Sequence, residues 1–194
     1  RVACAGGGFA VHAEYALVPY NLLARLPDNV DFESAAFTTL GAIAMHGFRL
    51  SSPQIGETVC VIGLGLLGLL AAQIARAAGC SVFGIDLSPN RVRLAQSLGF
   101  SAALNEASLD VVPGVTNGRG FDHVLICADT HSNDTVALAG QVARDRGSVV
   151  AVGAVGLDLP RKIYYDKELD FKVSRSYGPG RYDPRYEEAG NDYP

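Results

Sequence analysis

The apolar positions along this chain change rhythm near residue 56. Before it, residues 9–18 (Phe-Ala-Val-His-Ala-Glu-Tyr-Ala-Leu-Val) alternate behind Gly6-Gly7-Gly8 and predict a strand leaving a turn. Residues 19–29 read as a loop, with Asp28-Asn29 as a turn signal. Asp31 is an N-cap candidate, with Glu33 and Ser34 in the first turn. It opens a helix across an apolar, small-residue stretch that reaches Phe48, and Ser51-Ser52-Pro53 breaks the pattern.

After Gly56-Glu57, strand and helix patterns alternate. Thr58-Val59-Cys60-Val61-Ile62 is the continuous β-rich run of a strand buried on both faces. Residues 66–78 predict a helix that stops at Gly79. Residues 81–85 predict a second strand. Ser88-Pro89 then open a helix, with Ser as N-cap and Pro at the first helical position, that ends at Gly99. Residues 102–104 predict a short third strand, and residues 106–120 leave a short helix and a Gly-rich loop both open. Strands over 122–126, 148–152 and 170–176, with a helix over 132–145, complete the series. Such alternation predicts an α/β fold, a Rossmann-type doubly wound parallel sheet of six strands.

Composition removes several classes of function. Hydrophobic residues make up 48% of the 194, and mean hydropathy is +0.17, enough for a sizeable core. Net charge is −4 with no basic cluster, which argues against a nucleic-acid partner. The longest apolar stretch, 58–72, is interrupted by Gly63, Gly65 and Gly68 and is shorter than the ~20 residues of a membrane span. No leader pattern precedes it, so a cytoplasmic protein without membrane attachment is expected. Cys4, Cys60, Cys80 and Cys127 form no CxxC pair and read as small buried hydrophobes in a reducing compartment. The chain opens without Met and closes on Asp192-Tyr193-Pro194, so a piece of a longer protein is expected.

The candidate chemistry sits at the first strand–helix junction, Gly63-Leu64-Gly65-Leu66-Leu67-Gly68. A lone GxGxxG is weak, but this one follows a β-rich run and opens a helix. Gly63 permits the tight turn, Gly65 lets a pyrophosphate approach the backbone, and Gly68 lets the helix pack on the strand. The free N–H groups and positive dipole end of that helix suit phosphate. Asp86 ends the second strand about 20 residues on, where a carboxylate accepts from ribose hydroxyls and repels a 2′-phosphate. NAD is therefore expected over NADP, with Leu87 beside the site. Arg91, one helical turn further, keeps a 2′-phosphate partner in play.

In the order of its pieces the chain resembles the medium-chain dehydrogenase/reductase superfamily, the alcohol dehydrogenase-like proteins. The resemblance rests on Ala13-Glu14-Tyr15, Pro27-Asp28, Ala35-Ala36, Gly56-Glu57-Thr58-Val59, the run Ile62 to Gly68, Asp86, and Val152-Gly153. The stretch from Arg175 through Tyr177-Gly178-Pro179-Gly180-Arg181 to Tyr182 further resembles a subgroup of bacterial two-domain oxidoreductases. The resemblance implies that residues 1–50 are the tail of a GroES-like β domain with a linking helix. It implies a cofactor domain over 51–178 and a tail over 179–194 returning to the catalytic part. It also implies that Leu67 lies behind the nicotinamide and that Cys127 and Ala128 flank the adenosine. Val152, Gly153 and Ala154 would offer backbone groups to the carboxamide.

The same resemblance bears on metal. Zinc-dependent members place a Cys or Glu ligand just after the Ala-Ala pair, where this chain reads Phe37-Thr38-Thr39-Leu40. Neither Thr39 nor Leu40 is a zinc ligand type, so no metal ligand is expected and catalytic zinc is in doubt. His46, on the helix before the glycine turn, is the candidate for acid–base work, against a packed helix histidine. His12, on a short alternating segment, reads as structural. Six of eight tyrosines fall in residues 164–193, and Tyr177 and Arg181 are substrate candidates against a covering loop. The expected activity is NAD(P)-dependent hydride transfer to or from an alcohol, polyol or sugar-like small-molecule substrate. A zinc-free quinone or enone reductase, and a nucleotide-binding module without chemistry of its own, stay open. An exposed sixth-strand edge predicts a homodimer.

Overall fold

The computed structural model describes residues 1–192, and Tyr193 of the tyrosine-rich tail lies outside them. Contacts divide the chain into two compact units, 1–43 with 175–194, and 44–174.

In the smaller unit, β1 (Val2–Cys4) pairs antiparallel with β2 (Leu23–Arg25), in the register Val2↔Arg25 and Cys4↔Leu23. β2 falls where a loop is expected, and residues 9–18 form turns and bends instead of the predicted strand. A strand needs a neighbour to accept its ladder hydrogen bonds. In this unit the pairing goes to β1 and β2, extended by Ala5 N–H donating to Leu22 O (2.9 Å) and Leu26 N–H to Arg1 O (3.0 Å). Alternation in 9–18 is thus left with both faces exposed, Tyr15 and Leu17 above all. The Asp31 carboxylate accepts from Ser34 N–H at 2.6 Å and starts α1 (Phe32–Ala35). The predicted single helix is two: the Thr38 hydroxyl bonds Ala35 O and opens α2 (Thr38–Ser51).

The larger unit is a six-stranded parallel sheet. Its strands are β3 (Thr58–Ile62), β4 (Ser81–Asp86), β5 (Ser101–Leu104), β6 (Phe121–Ile126), β7 (Ala143–Ala151) and β8 (Asp170–Val173). They lie in the order β5-β4-β3-β6-β7-β8. The sheet grows from β3 in one direction to β5, then restarts on the other side of β3 with β6. A crevice forms where the direction reverses, outside the carboxyl ends of β3 and β6. Helices α3 (Leu66–Ala77) and α4 (Pro89–Ser97) follow β3 and β4. Residues 105–115 resolve as helix α5 (Asn105–Val115).

Helix α6 (Asp134–Val142) stops short of the expected residue 145 because Ala143 already belongs to β7. The Lys167 ammonium bonds the carbonyls of Gly140, Gln141 and Ala143, satisfying the groups a helix end leaves open. Helix α7 (Arg161–Asp166), unforeseen in the sequence, leads into β8. A last short helix, α8 (Pro184–Glu187), belongs to the smaller unit.

Two apolar layers sandwich the sheet. Val59, Val61, Leu125 and Val150 meet α2 and α3 through Ala44, Phe48, Ala71 and Ala75. On the other face Cys60, Ile62, Val124 and Ile126 meet α6 through Val136 and Ala139. Small residues on the helices let them approach a sheet of β-branched side chains closely. Cys60 and Cys80 are buried as expected, whereas Cys4 is exposed on β1. Among the described residues no helix is long and apolar enough to cross a membrane.

Candidate functional site

The glycine turn leaves β3 directly into the crevice. Gly63 has φ +95°, a left-handed conformation that favours glycine, and its N–H donates to Ile85 O at 2.8 Å. A β-carbon there would lie 2.7 Å from the Ala128 nitrogen, so the loops after β3 and β6 touch at the backbone. A β-carbon on Gly68 would lie 1.8 Å from the Gly63 oxygen, and one on Gly153 2.0 Å from the Ala128 oxygen. All three glycines are thus required by the protein's own packing.

Gly65 differs. Its backbone (φ −71°, ψ −169°) suits any residue, and a β-carbon there would meet only the Arg91 guanidinium carbon, at 3.9 Å. Nothing inside the protein requires glycine at this point. Gly65 is also the N-cap of α3, and no side chain caps that helix. The first turn of α3 therefore presents its amide groups with an open space in front of them.

Asp86, at the end of β4, is 6% exposed. One of its oxygens accepts from Leu64 N–H at 2.6 Å and the other from Ser88 N–H at 2.7 Å. Its first work is thus to hold the glycine turn and the start of α4. Each oxygen keeps a second lone pair. Arg91 Nη1 stands 3.7 Å from Asp86 Oδ2, an ion pair without hydrogen-bond geometry. Leu64 is buried and packs over Gly84, which pins the turn from below. Leu67 is half-buried against the core, while Leu66 (50% exposed) and Leu87 (78% exposed) form an apolar rim.

The ends of β6 and β7 are tied together. The N–H groups of Val152 and Gly153 both donate to Ile126 O (2.9 Å each), and Thr130 N–H donates to Ala154 O (2.9 Å). The amides of Val152 and Gly153 are thus spent, which leaves their carbonyl oxygens and the Ala154 N–H among the backbone groups expected to face a ligand. Burial pushes the Cys127 thiol up to about 12, so it is protonated at neutral pH. Helix α2 meets this end of the sheet through Gly47, where a β-carbon would strike Val152 Cγ2 at 2.5 Å. Its neighbour His46 is half-buried, and that burial lowers its pKa, favouring the neutral ring.

Tyr177 and Arg181 lie in the smaller unit, in a cluster of their own. Both bond the buried Glu187, with Arg181 Nη1 at 2.8 and 3.1 Å from its two oxygens. Arg181 also stacks on Tyr182, its guanidinium carbon 3.6 Å from the ring centroid. Burial first, and then the bond to Glu187, pushes the Tyr177 hydroxyl up to about 12. The polar groups expected to meet substrate are therefore engaged with Glu187. Sequence reading missed Glu187. The signal was the 181–187 interval, with Asp183-Pro184 between to start a helical turn.

The zinc-binding dehydrogenase family matches residues 67–189. This chain belongs to that family. Its dehydrogenase relatives include an alcohol dehydrogenase from Geobacillus stearothermophilus, 32% identical over 162 residues, covering 81% of the chain and 48% of the relative. Among solved structures, galactitol-1-phosphate dehydrogenase from Escherichia coli superposes with a TM-score of 0.74 at 31% identity, covering 84% of the chain and 49% of the other. A Sinorhizobium meliloti 1021 protein solved with NADP bound gives a TM-score of 0.72 at 30% identity, covering 83% and 49%. The chain spans about half the length of the curated relatives it matches. The dehydrogenase fold is thereby that of the medium-chain dehydrogenase/reductase superfamily.

The family name carries zinc. Among the described residues no three His, Cys, Asp or Glu side chains stand together as a metal site. The Thr39 hydroxyl is turned to Cys4 O at 3.3 Å, and Leu40 has no donor atom. The described residues of this chain do not compose a zinc centre, and no chemical step is assigned to one.

Proposed function

We propose that this chain is the cofactor-binding part of a nicotinamide-dependent oxidoreductase acting on an alcohol, polyol or sugar-like substrate, with NAD(H) as its ligand. Gly65 carries the reading. It is a glycine with ordinary backbone angles and no internal neighbour nearer than the Arg91 guanidinium carbon, set at an uncapped twelve-residue helix start in the crevice of a doubly wound sheet. A backbone free of side chain there suits close approach by a pyrophosphate. The unspent lone pairs of Asp86 would accept from the adenosine ribose, with Leu66, Leu87 and Arg91 around it. Cys127 and Ala128 would border the adenine. Leu67 and the backbone groups of 152–154 would border the nicotinamide. Bound nicotinamide would supply the hydride acceptor or donor. This chain would position it and exclude water, while His46, kept neutral, is the candidate proton carrier. Residues 1–50 are assigned to a GroES-like remnant and 179–194 to the return toward it. Two copies of the cytoplasmic protein would pair along the exposed edge of β8.

Titration of the chain with NADH and NADPH, followed by nicotinamide fluorescence, tests the reading. NADH is expected to bind at least about tenfold more tightly than NADPH, a difference of about 1.4 kcal/mol. Failure of both to bind refutes the function, and tighter NADPH binding refutes the choice of cofactor. A full-length protein that reduces enones but no carbonyl would move the substrate class to quinone or enone reduction.

A further inference from the structure

The sheet has a second concave site at the opposite end, where β6 and β7 begin. The cavity there measures about 550 Å³, within the ~300–1,000 Å³ typical of small-ligand sites. One wall is apolar: Leu109, Val112 and Pro113 of α5.

The charged lining is mostly cationic, with Arg119, Arg144 and Lys167 against the carboxylate of Asp145. The three cations are not equivalent. Lys167 spends its ammonium on the carbonyls of Gly140 (2.9 Å), Gln141 (2.8 Å) and Ala143 (2.6 Å). Arg144 gives Nε to Asp122 at 2.5 Å and Nη1 to Asp145 O at 2.8 Å, which leaves Nη2. Arg119 makes no side-chain hydrogen bond or ion pair with any described residue. The N–H groups of its turn are already engaged, Gly118 with Pro113 O, Arg119 with Thr116 O and Gly120 with the Thr116 hydroxyl. Donor capacity at this site therefore rests on the Gln141 side-chain amide and on guanidinium groups, and the guanidinium groups match carboxylate and phosphate in planar, two-bond fashion.

We propose that this cavity binds a small organic anion, one carboxylate or phosphate carried on an apolar body. The anionic group pairs with Arg119, supported by the unspent nitrogen of Arg144. The body lies on Leu109, Val112 and Pro113. The cavity opens at the amino ends of β6 and β7, whereas Cys127, Ala128 and Val152 follow their carboxyl ends. The ligand is therefore distinct from a dinucleotide in the crevice, and both can be held at once.

Phenyl phosphate, phenylacetate and inorganic phosphate separate the sources of the charge. Each is titrated into the ¹⁵N-labelled chain, with amide shifts as readout, and into the Arg119→Gln and Arg93→Gln variants. Arg93 is exposed on α4, where its guanidinium bonds Asn90, so it serves as the control. One or both aromatic anions should saturate with shifts clustered on residues 118–120 and 141–145. Binding should weaken at least about tenfold in Arg119→Gln and stay unchanged in Arg93→Gln. Inorganic phosphate, lacking the apolar body, should bind more weakly than phenyl phosphate. The proposal is overturned if neither aromatic anion saturates, if Arg119→Gln binds as tightly as wild type, or if the shifts cluster on residues 63–68.

Discussion

Replacing two glycines of one turn by alanine should separate a ligand's requirement from the protein's own. At Gly68 an added methyl would sit 1.8 Å from the Gly63 oxygen and 2.9 Å from its carbon. Ordinary contact begins near 3.4 Å, so the carbonyl must retreat by about 1.6 Å (3.4 − 1.8). It has nowhere to go: Gly63 is held by its bond to Ile85 O and by the Ala128 backbone. Overpacking costs about 1–3 kcal/mol, and a backbone target this close puts Gly68→Ala near the upper end. With a urea dependence of about 2 kcal/mol per molar, the unfolding midpoint should fall by about 1.5 M. Gly65→Ala places its methyl in open space at permitted angles, so its midpoint should stay level or rise by a few tenths molar. Its effect should appear in NADH titration instead, as a Kd raised about ten- to a hundredfold, about 1.4–2.8 kcal/mol. Circular dichroism in urea and nicotinamide fluorescence on the same samples give both numbers. If Gly65→Ala binds NADH like wild type, the assignment of a pyrophosphate to that open space fails. If it unfolds as early as Gly68→Ala, the packing argument fails.

Acid should weaken the base of the sheet through Asp122. Burial works against its ionisation, but bonds from Thr58 N–H (2.8 Å), the Thr58 hydroxyl (2.8 Å) and Arg144 win, and hold it down to about 2 from 3.8. A depressed carboxyl contributes stability above its unfolded value, here about 2 kcal/mol, that disappears as pH falls from about 4 through about 2. Urea midpoints of wild type should therefore drop across that window, and those of Asp122→Asn, already lower at pH 7, should drop less; parallel curves would refute the assignment. Alkylation of the native chain should label Cys4 alone, because Cys60, Cys80 and Cys127 are raised by burial and only Cys4 is exposed. Mass spectrometry showing Cys127 modified at the rate of Cys4 would contradict that.

What was legible in the sequence follows from range. The run of β-branched residues 58–62, the stop at Gly79 and the Ser88-Pro89 start are local signals backed by local physics, and each marks an observed boundary to within two residues. Residues 9–18 failed because alternation states only that a segment is able to pair. Whether it does depends on a neighbour, and in this unit Val2–Cys4 and Leu23–Arg25 found each other. The end of α6 was misjudged for a similar reason, since its cap comes from Lys167, far along the chain. At the candidate site the glycines and Asp86 could be read from spacing. The bonds that occupy the amides of Val152 and Gly153 could not, because they depend on how β6 and β7 register.

Asp86 shows what this means for choosing an experiment. From spacing alone, alanine at 86 looks like a direct test of ribose recognition. In the fold the same carboxylate accepts from Leu64 and Ser88 amides while 6% exposed. Asp86→Ala would strip the buried Leu64 N–H and the part-buried Ser88 N–H of their acceptor, at about 1–3 kcal/mol for the buried one, and release the turn that carries Gly65. Lost NADH affinity in that variant would follow equally from a missing ribose contact and from a collapsed turn. Arg91 is free of this ambiguity: its side chain is 58% exposed and meets Asp86 only at 3.7 Å. Discrimination between NAD and NADP is therefore best read from wild type and Arg91→Gln, where the turn stays intact. A guanidinium that serves a 2′-phosphate weakens NADPH alone when removed, whereas one that merely shields Asp86 leaves the ratio of the two cofactors where it was.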